Sequence, residues 1–243
     1  MIKLIAFDLD GTLTQHKTPL EKENRAVLDE LAARGYTLLM VGAGQCARIF
    51  RQMGEYPLDI IGNYGLQAAV YDKETGGLRT VRDLIFPVDR DSINERVDAL
   101  RTKHGFTAYR GASVEFHPSG CVTFAILGTE ALQADKLAFD PDRIKRRAIY
   151  DEVVATFPEY TVFVGGSSSF DMAPRPYDKL YALDAYAKEH GILHEEIVFV
   201  GDDYGPGGND ESVYLSDIRF IKVDDYTRLR EALGDLLTKE ATT

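Results

Sequence analysis

The sequence predicts an α/β fold: a core built on a parallel sheet, interrupted by an inserted α+β domain. Three observations predict it. Short apolar runs at residues 3–7 and 197–200 each end at an acidic, glycine-containing turn, as buried parallel strands do. Strand and helix patterns alternate after the first run and again after residue 179, which is the rhythm of strand–helix–strand units. Between these stretches the rhythm is lost, and helices and strands follow one another without a fixed order.

Residues 3–7 read as a strand with Asp8 at its C-terminal end. A helix is signalled from Thr18, with Thr at the cap, Pro19 in the first helical position and Glu21 placed to close a capping box. Leu20, Val27, Leu28 and Leu31 form its apolar face, and Gly35 stops it. A strand at 37–41 ends at Gly42, and a helix is expected over 46–53. The insertion reads as a helix over 92–103, an alternating stretch at 113–116, a strand at 122–127, a charged helix over 142–156 and a strand at 160–164. After Pro174 and Pro176 the first rhythm resumes with a helix over 179–190, the strand at 197–200, a strand at 219–223 and a helix over 226–237. The expected division is therefore 1–84 and 176–243 for the core, with 85–175 as the insertion.

Composition narrows the function. With 243 residues and 44% hydrophobic content the chain can bury a real core. A net charge of −11 without a basic stripe argues against nucleic acid and anionic membrane as partners. A small partner is expected, and an anionic one needs a local positive centre such as a metal ion, a lysine or a helix N-terminus. Cys46 and Cys121 show neither metal spacing nor a disulfide framework, so a reducing, cytoplasmic setting is expected. The apolar start is interrupted by Asp8 and Asp10 before a signal core or membrane span could form.

Two motifs carry chemistry. Asp8-Leu9-Asp10-Gly11-Thr12-Leu13-Thr14 stands where the first strand ends, the place where open α/β sheets bind ligands. Gly201-Asp202-Asp203-Tyr204-Gly205-Pro206-Gly207-Gly208-Asn209-Asp210 follows a later apolar strand, and its oxygen donors suit a hard divalent ion, magnesium by default. Between them, Lys179 opens a helix; a site made of carboxylates needs such a cation if it is to hold a phosphoryl group.

With these residues the chain resembles the haloacid-dehalogenase superfamily, and within it the eukaryotic-type phosphomannomutases and their Cof-like phosphatase relatives. Val41-Gly42-Ala43-Gly44, Arg110-Gly111, Glu115-Phe116, Gly165-Gly166, Ser169-Phe170-Asp171 and Asp178-Lys179 extend the match along nearly the whole length. The resemblance implies a Rossmann-like core with an α+β cap, and an Mg2+ enzyme acting on a small phosphorylated metabolite. It implies Asp8 as nucleophile, Asp10 as general acid/base whose carbonyl also serves the metal, and Lys179 as the orienting cation. It implies Asp202 and Asn209 as further metal ligands, with Asp203 and Asp210 behind them. Thr12, Gly42, Ala43 and Gly44 would face the phosphate, the glycines through backbone N–H groups. Arg110, Lys136, Ser169 and Asp171 would meet the substrate from the cap.

Two departures matter. Gly44 stands where the family offers a serine or threonine hydroxyl, and of the cap arginines that grip a second phosphate only Arg110 is matched, with Thr129 and Lys136 in place of others. Lys lacks the planar fork of Arg and Thr lacks its charge. A phosphatase of a sugar phosphate is therefore expected ahead of a phosphohexomutase, with a non-catalytic binding relative as the lesser alternative. His16 and His117 read as surface or structural residues.

Overall fold

The computed structural model describes residues 1–238. In chain order the first elements are β1 (Leu4–Phe7), α1 (Lys22–Ala33), β2 (Thr37–Val41), α2 (Cys46–Gln52), β3 (Asp59–Gly62), β4 (Gln67–Asp72) and β5 (Gly77–Asp83). Next come α3 (Arg90–His104), β6 (Val114–Phe116), β7 (Val122–Ala125), α4 (Gln133–Phe139), α5 (Ile144–Arg147), α6 (Tyr150–Thr156), β8 (Tyr160–Phe163) and β9 (Ser169–Pro174). The last are α7 (Lys179–His190), β10 (Ile197–Gly201), α8 (Glu211–Tyr214), β11 (Arg219–Lys222), α9 (Leu229–Ala232) and α10 (Gly234–Thr238). The chain divides into two compact units, one of Met1–Asp83, Lys179–Gly205 and Asp210 onward, the other of Leu84–Asp178 with Pro206–Asn209.

The first unit holds a seven-stranded sheet in the order β11-β10-β1-β2-β3-β4-β5. β11 to β3 run parallel, while β4 and β5 are antiparallel at one edge. Side chains alternate across β1: Ile5 and Phe7 join a core with Leu28 and Leu236, whereas Leu4 and Ala6 join one with Leu183 and Phe199. Both faces are covered, so these strands read as continuous apolar runs rather than alternating ones. Strand order reverses between β1 and β10, which makes their shared carboxyl end the topological switch point, where open α/β sheets bind ligands.

The second unit holds a four-stranded antiparallel sheet, β6-β7-β9-β8. Val114, Phe124, Phe170 and Val162 turn toward Val97 of α3 and Phe157, which follows α6. Their alternates Glu115, Thr123 and Asp171 pair across the opposite face.

Several sequence expectations are corrected. α1 starts at Lys22, not at Thr18, because the Thr18 hydroxyl donates to Gln15 O (2.9 Å) and closes a turn instead of capping a helix. The expected helix over 142–156 is two, α5 and α6, because Ile149 between them has left helical geometry (φ −116). The helix over 226–237 is likewise broken into a 3-10 turn, α9 and α10. The hairpin β4–β5 was not anticipated, since Arg79 and Arg82 place charge along an edge strand where no apolar alternation can develop.

Candidate active site

The site is built at the switch point. Asp8 leaves β1 with its amide donating to Val200 O of β10 (2.9 Å), which locks the two motif-bearing strand ends side by side. Gly11 then turns at φ +100, and a Cβ there would run into the Asp202 carboxylate, so this loop can close only on glycine. Lys179, the first residue of α7, is fully buried. Its Nζ donates to Asp8 Oδ1 (2.5 Å) and Asp210 Oδ1 (2.6 Å). The other Asp210 oxygen accepts the amide of Asp203 (3.0 Å), so Asp210 is held from both sides.

Carboxylate oxygens of Asp8, Asp202 and Asp210 all lie within 4.8 Å of one another. With Lys179 as the partner of two of them, three negative charges face one positive charge. Burial, with Asp210 and Asp202 adding repulsion, pushes the Asp8 carboxyl well above its ordinary range against the pull of Lys179. Burial would lower Lys179, but Asp210 and Asp8 outweigh it and keep the ammonium charged. An all-oxygen donor set with about two uncompensated charges fits a hard divalent cation such as magnesium.

The remaining expected residues fall as follows. Thr12 is buried and its hydroxyl donates to Asp202 Oδ1 (3.0 Å), which orients that carboxylate. The Gly42 amide donates to Ile61 O (2.9 Å), which withdraws it from the expected anion cradle. Asp10 Oδ1 accepts from Lys17 N and Gln52 Nε2, both at 2.7 Å. Asn209 belongs to the segment grouped with the second unit. Sequence reading missed Gln52 and its neighbour Arg48, whose Nη1 donates to Gln52 Oε1 (2.8 Å). Their only signal is a polar i,i+4 pair on α2, a spacing too common to single out.

In the second unit, Arg110 borders a cavity of about 390 Å³ lined also by Thr107, Tyr109, Leu127 and Asp135. Thr129 and Lys136 are engaged locally: Thr129 Oγ1 accepts from Ala112 N (3.1 Å), and Lys136 Nζ donates to Thr129 O (3.1 Å). Ser169 Oγ donates to Gly165 O (3.0 Å). Thr123 Oγ1 donates to Asp171 Oδ1 (3.0 Å), and His117 Nε2 lies 3.1 Å from the same hydroxyl. Thr123 has one hydroxyl hydrogen and Asp171 receives it, so Nε2 of His117 is the donor in this chain.

Comparison with known proteins agrees with this architecture. The profile of the eukaryotic phosphomannomutase family matches residues 80–228. The phosphomannomutase of Drosophila melanogaster is 28% identical over 234 residues, covering 92% of this chain and 90% of its own. That of Saccharomyces cerevisiae is 27% identical over 226 residues, covering 88% and 85%. Among solved structures, an IMP-bound IMP-nucleotidase of Plasmodium falciparum superposes with a TM-score of 0.66 at 14% identity, over 98% of this chain and 69% of that one. A haloacid dehalogenase-like hydrolase from Bacteroides thetaiotaomicron gives 0.55 at 18% identity, over 87% and 84%. At these identities the structures speak for the fold. No helix among the described residues is long and apolar enough to cross a membrane.

Proposed function

The chain belongs to the eukaryotic phosphomannomutase family of the haloacid-dehalogenase superfamily, and from that premise we propose that it is a magnesium-dependent phosphatase of a small phosphorylated metabolite, in the sugar-phosphate class. The observation that carries the reading is Lys179 bridging Asp8 and Asp210 beside Asp202. Lys179 holds one oxygen of Asp8, opposing the burial and carboxylate repulsion that push this carboxyl up, and orients the other oxygen for attack. An Asp8 oxygen attacks phosphorus, the bond from phosphorus to the ester oxygen breaks, and Asp10 gives that oxygen a proton. Water then attacks the aspartyl phosphate with Asp10 taking the proton back, which releases phosphate and regenerates Asp8. Asp8, Asp202, the carbonyl of Asp10 and, as the family pattern implies, Asn209 would hold magnesium, which would supply charge neutralisation at the transferring oxygens.

Hydrolysis is favoured over a mutase cycle by the cap residues. A mutase must grip a second phosphate, yet Thr129 and Lys136 are tied to their own loop, and Asp171 brings negative charge to the sheet face. Asp171, Ser169 and Arg110 suit a substrate end rich in hydroxyls. The family match keeps a phosphohexomutase as the second reading.

The test is a phosphate-release screen over hexose, pentose and polyol phosphates with magnesium, run beside a hexose 1-phosphate to 6-phosphate conversion that includes bisphosphate activator. Release exceeding isomerisation, and lost in Asp8→Asn, is expected. Isomerisation with negligible release establishes the mutase, and equal inertness of both proteins establishes a binding relative.

A further inference from the structure

We propose that Arg48 is the second cation of the phosphoryl site, and that position 44 is glycine so that the guanidinium can stand there. The proposal rests on the reading of Asp8 and Asp10 as the reacting pair. Arg48 reaches Asp10 by two routes. Its Nη1 donates to Gln52 Oε1 (2.8 Å), which turns the Gln52 amide nitrogen toward Asp10 Oδ1 (2.7 Å). Its Nη2 lies 3.9 Å from Asp10 Oδ2. Because Oε1 of Gln52 can only accept, the guanidinium fixes which end of the amide faces Asp10.

Gly44 completes the arrangement. A Cβ on Gly44 would land on the Arg48 guanidinium, while the backbone of Gly44 lies outside the left-handed region. A side chain at this position is therefore compatible with the fold, and what it displaces is the end of a flexible arm. The Gly44 carbonyl also accepts Asn63 N (2.9 Å), which fixes the loop over which Arg48 lies. Among the described residues Nη1 is the Arg48 nitrogen with a hydrogen-bonded acceptor. Nη2 keeps donors for a phosphate monoester dianion, whose oxygens match a guanidinium fork.

As a stabilising contact the pair is negligible: the Arg48 side chain is 41% exposed and the ion pair is long, and exposed pairs of this kind contribute little. A purely structural role thus leaves both melting temperature and kinetics unchanged on substitution. The proposed role leaves the melting temperature alone and changes the kinetics.

The experiment compares wild type, Arg48→Met, Arg48→Lys, Gly44→Ser and the Gly44→Ser/Arg48→Met double variant. It reads kcat and KM for phosphate release and, by calorimetry, the affinity for inorganic phosphate with magnesium present. Arg48→Met is expected to lower kcat/KM by about 10- to 100-fold, the scale of one charge-assisted contact. Arg48→Lys recovers part of it, and inorganic phosphate binds more weakly to Arg48→Met. Gly44→Ser falls by a similar factor in the wild-type background and has little further effect in Arg48→Met, since both remove the same interaction. Wild-type kinetics and phosphate affinity in Arg48→Met overturn the proposal, as does a Gly44→Ser variant that gains activity through its new hydroxyl. If the wild type turns over no phosphate ester in an Asp8-dependent way, the phosphatase reading fails, while the phosphate affinities still decide for or against Arg48.

Discussion

Each unit buries a cation against carboxylate, and the two burials differ in kind. In the second unit Arg146 is almost fully buried and donates from Nε to Asp140 Oδ2 (2.9 Å) and from Nη1 to the carbonyls of Gly165, Gly166 and Ser169 (2.6, 3.1 and 3.2 Å). Asp140 in turn accepts the amides of Lys145 and Arg146 (2.9 and 3.1 Å). One positive charge meets one negative charge, and both are saturated. In the first unit Lys179 meets Asp8 and Asp210 with Asp202 beside them, so negative charge remains in excess. Burial works against Asp140, yet its bonds from Arg146 and the two amides hold it below the usual carboxylate range. Burial raises Asp8, and its carboxylate neighbours raise it further. A balanced buried pair holds a loop in place, whereas an unbalanced one stores demand for a cation and a reacting group. Burial of charge alone does not mark an active site; its imbalance does.

The sharpest way to break this comparison is to remove each cation. Lys179→Met is expected to lower turnover by about a thousandfold or more, as loss of a group acting on the nucleophile does, with phosphate release as the assay. Arg146→Met is expected to destabilise by about 3–5 kcal/mol, the cost of stranding a buried carboxylate, read by denaturant unfolding. Magnesium is expected to separate the two variants. It raises the melting temperature of Lys179→Met, whose site has gained negative charge, and leaves the deficit of Arg146→Met in place. Equal rescue of both would erase the distinction.

A second pair of substitutions carries opposite signs. Without metal, Asp8→Asn is expected to raise the melting temperature by relieving repulsion, while Asp140→Asn lowers it by weakening a satisfied partner. Saturating magnesium stabilises the wild type by about 2.7 kcal/mol at a hundredfold excess over its Kd, and Asp8→Asn shrinks that gain.

The smallest effect is in the pH profile of metal-free protein. Asp8 has its folded value raised, so its contribution is complete below the unfolded value, near 3.9, and is lost as pH rises through the folded value. Asp140 has its folded value depressed, so its contribution is present above the unfolded value and is lost as pH falls through the folded one. Melting curves of the two Asn variants against wild type should therefore diverge toward high pH for Asp8 and converge toward low pH for Asp140.

Different parts of this contrast were legible in the sequence to different degrees. Asp8, Asp202 and Lys179 stand at strand ends and a helix start, where the direction of a parallel sheet alone predicts convergence. Arg146 gave no sign, because a basic residue in a charged stretch looks solvated until the carbonyls of Gly165 and Ser169 are seen to surround it. The place of Thr12 at a phosphate is an expectation from the resemblance alone, whereas its bond to Asp202 is a tertiary fact that no stretch of sequence shows. Arg48 and Gln52 escaped for the same reason: their partner Asp10 is 38 and 42 residues away in the chain.

The central claim is that Asp8 is the group that accepts the phosphoryl. The most direct measurement is acid-quenched, magnesium-supported turnover with a reactive aryl phosphate, followed by reductive trapping and peptide mass spectrometry. Label on Asp8, reduced by Lys179→Met and absent from Asp8→Asn, is the result predicted. Label on another side chain, or steady turnover in Asp8→Asn, contradicts the account.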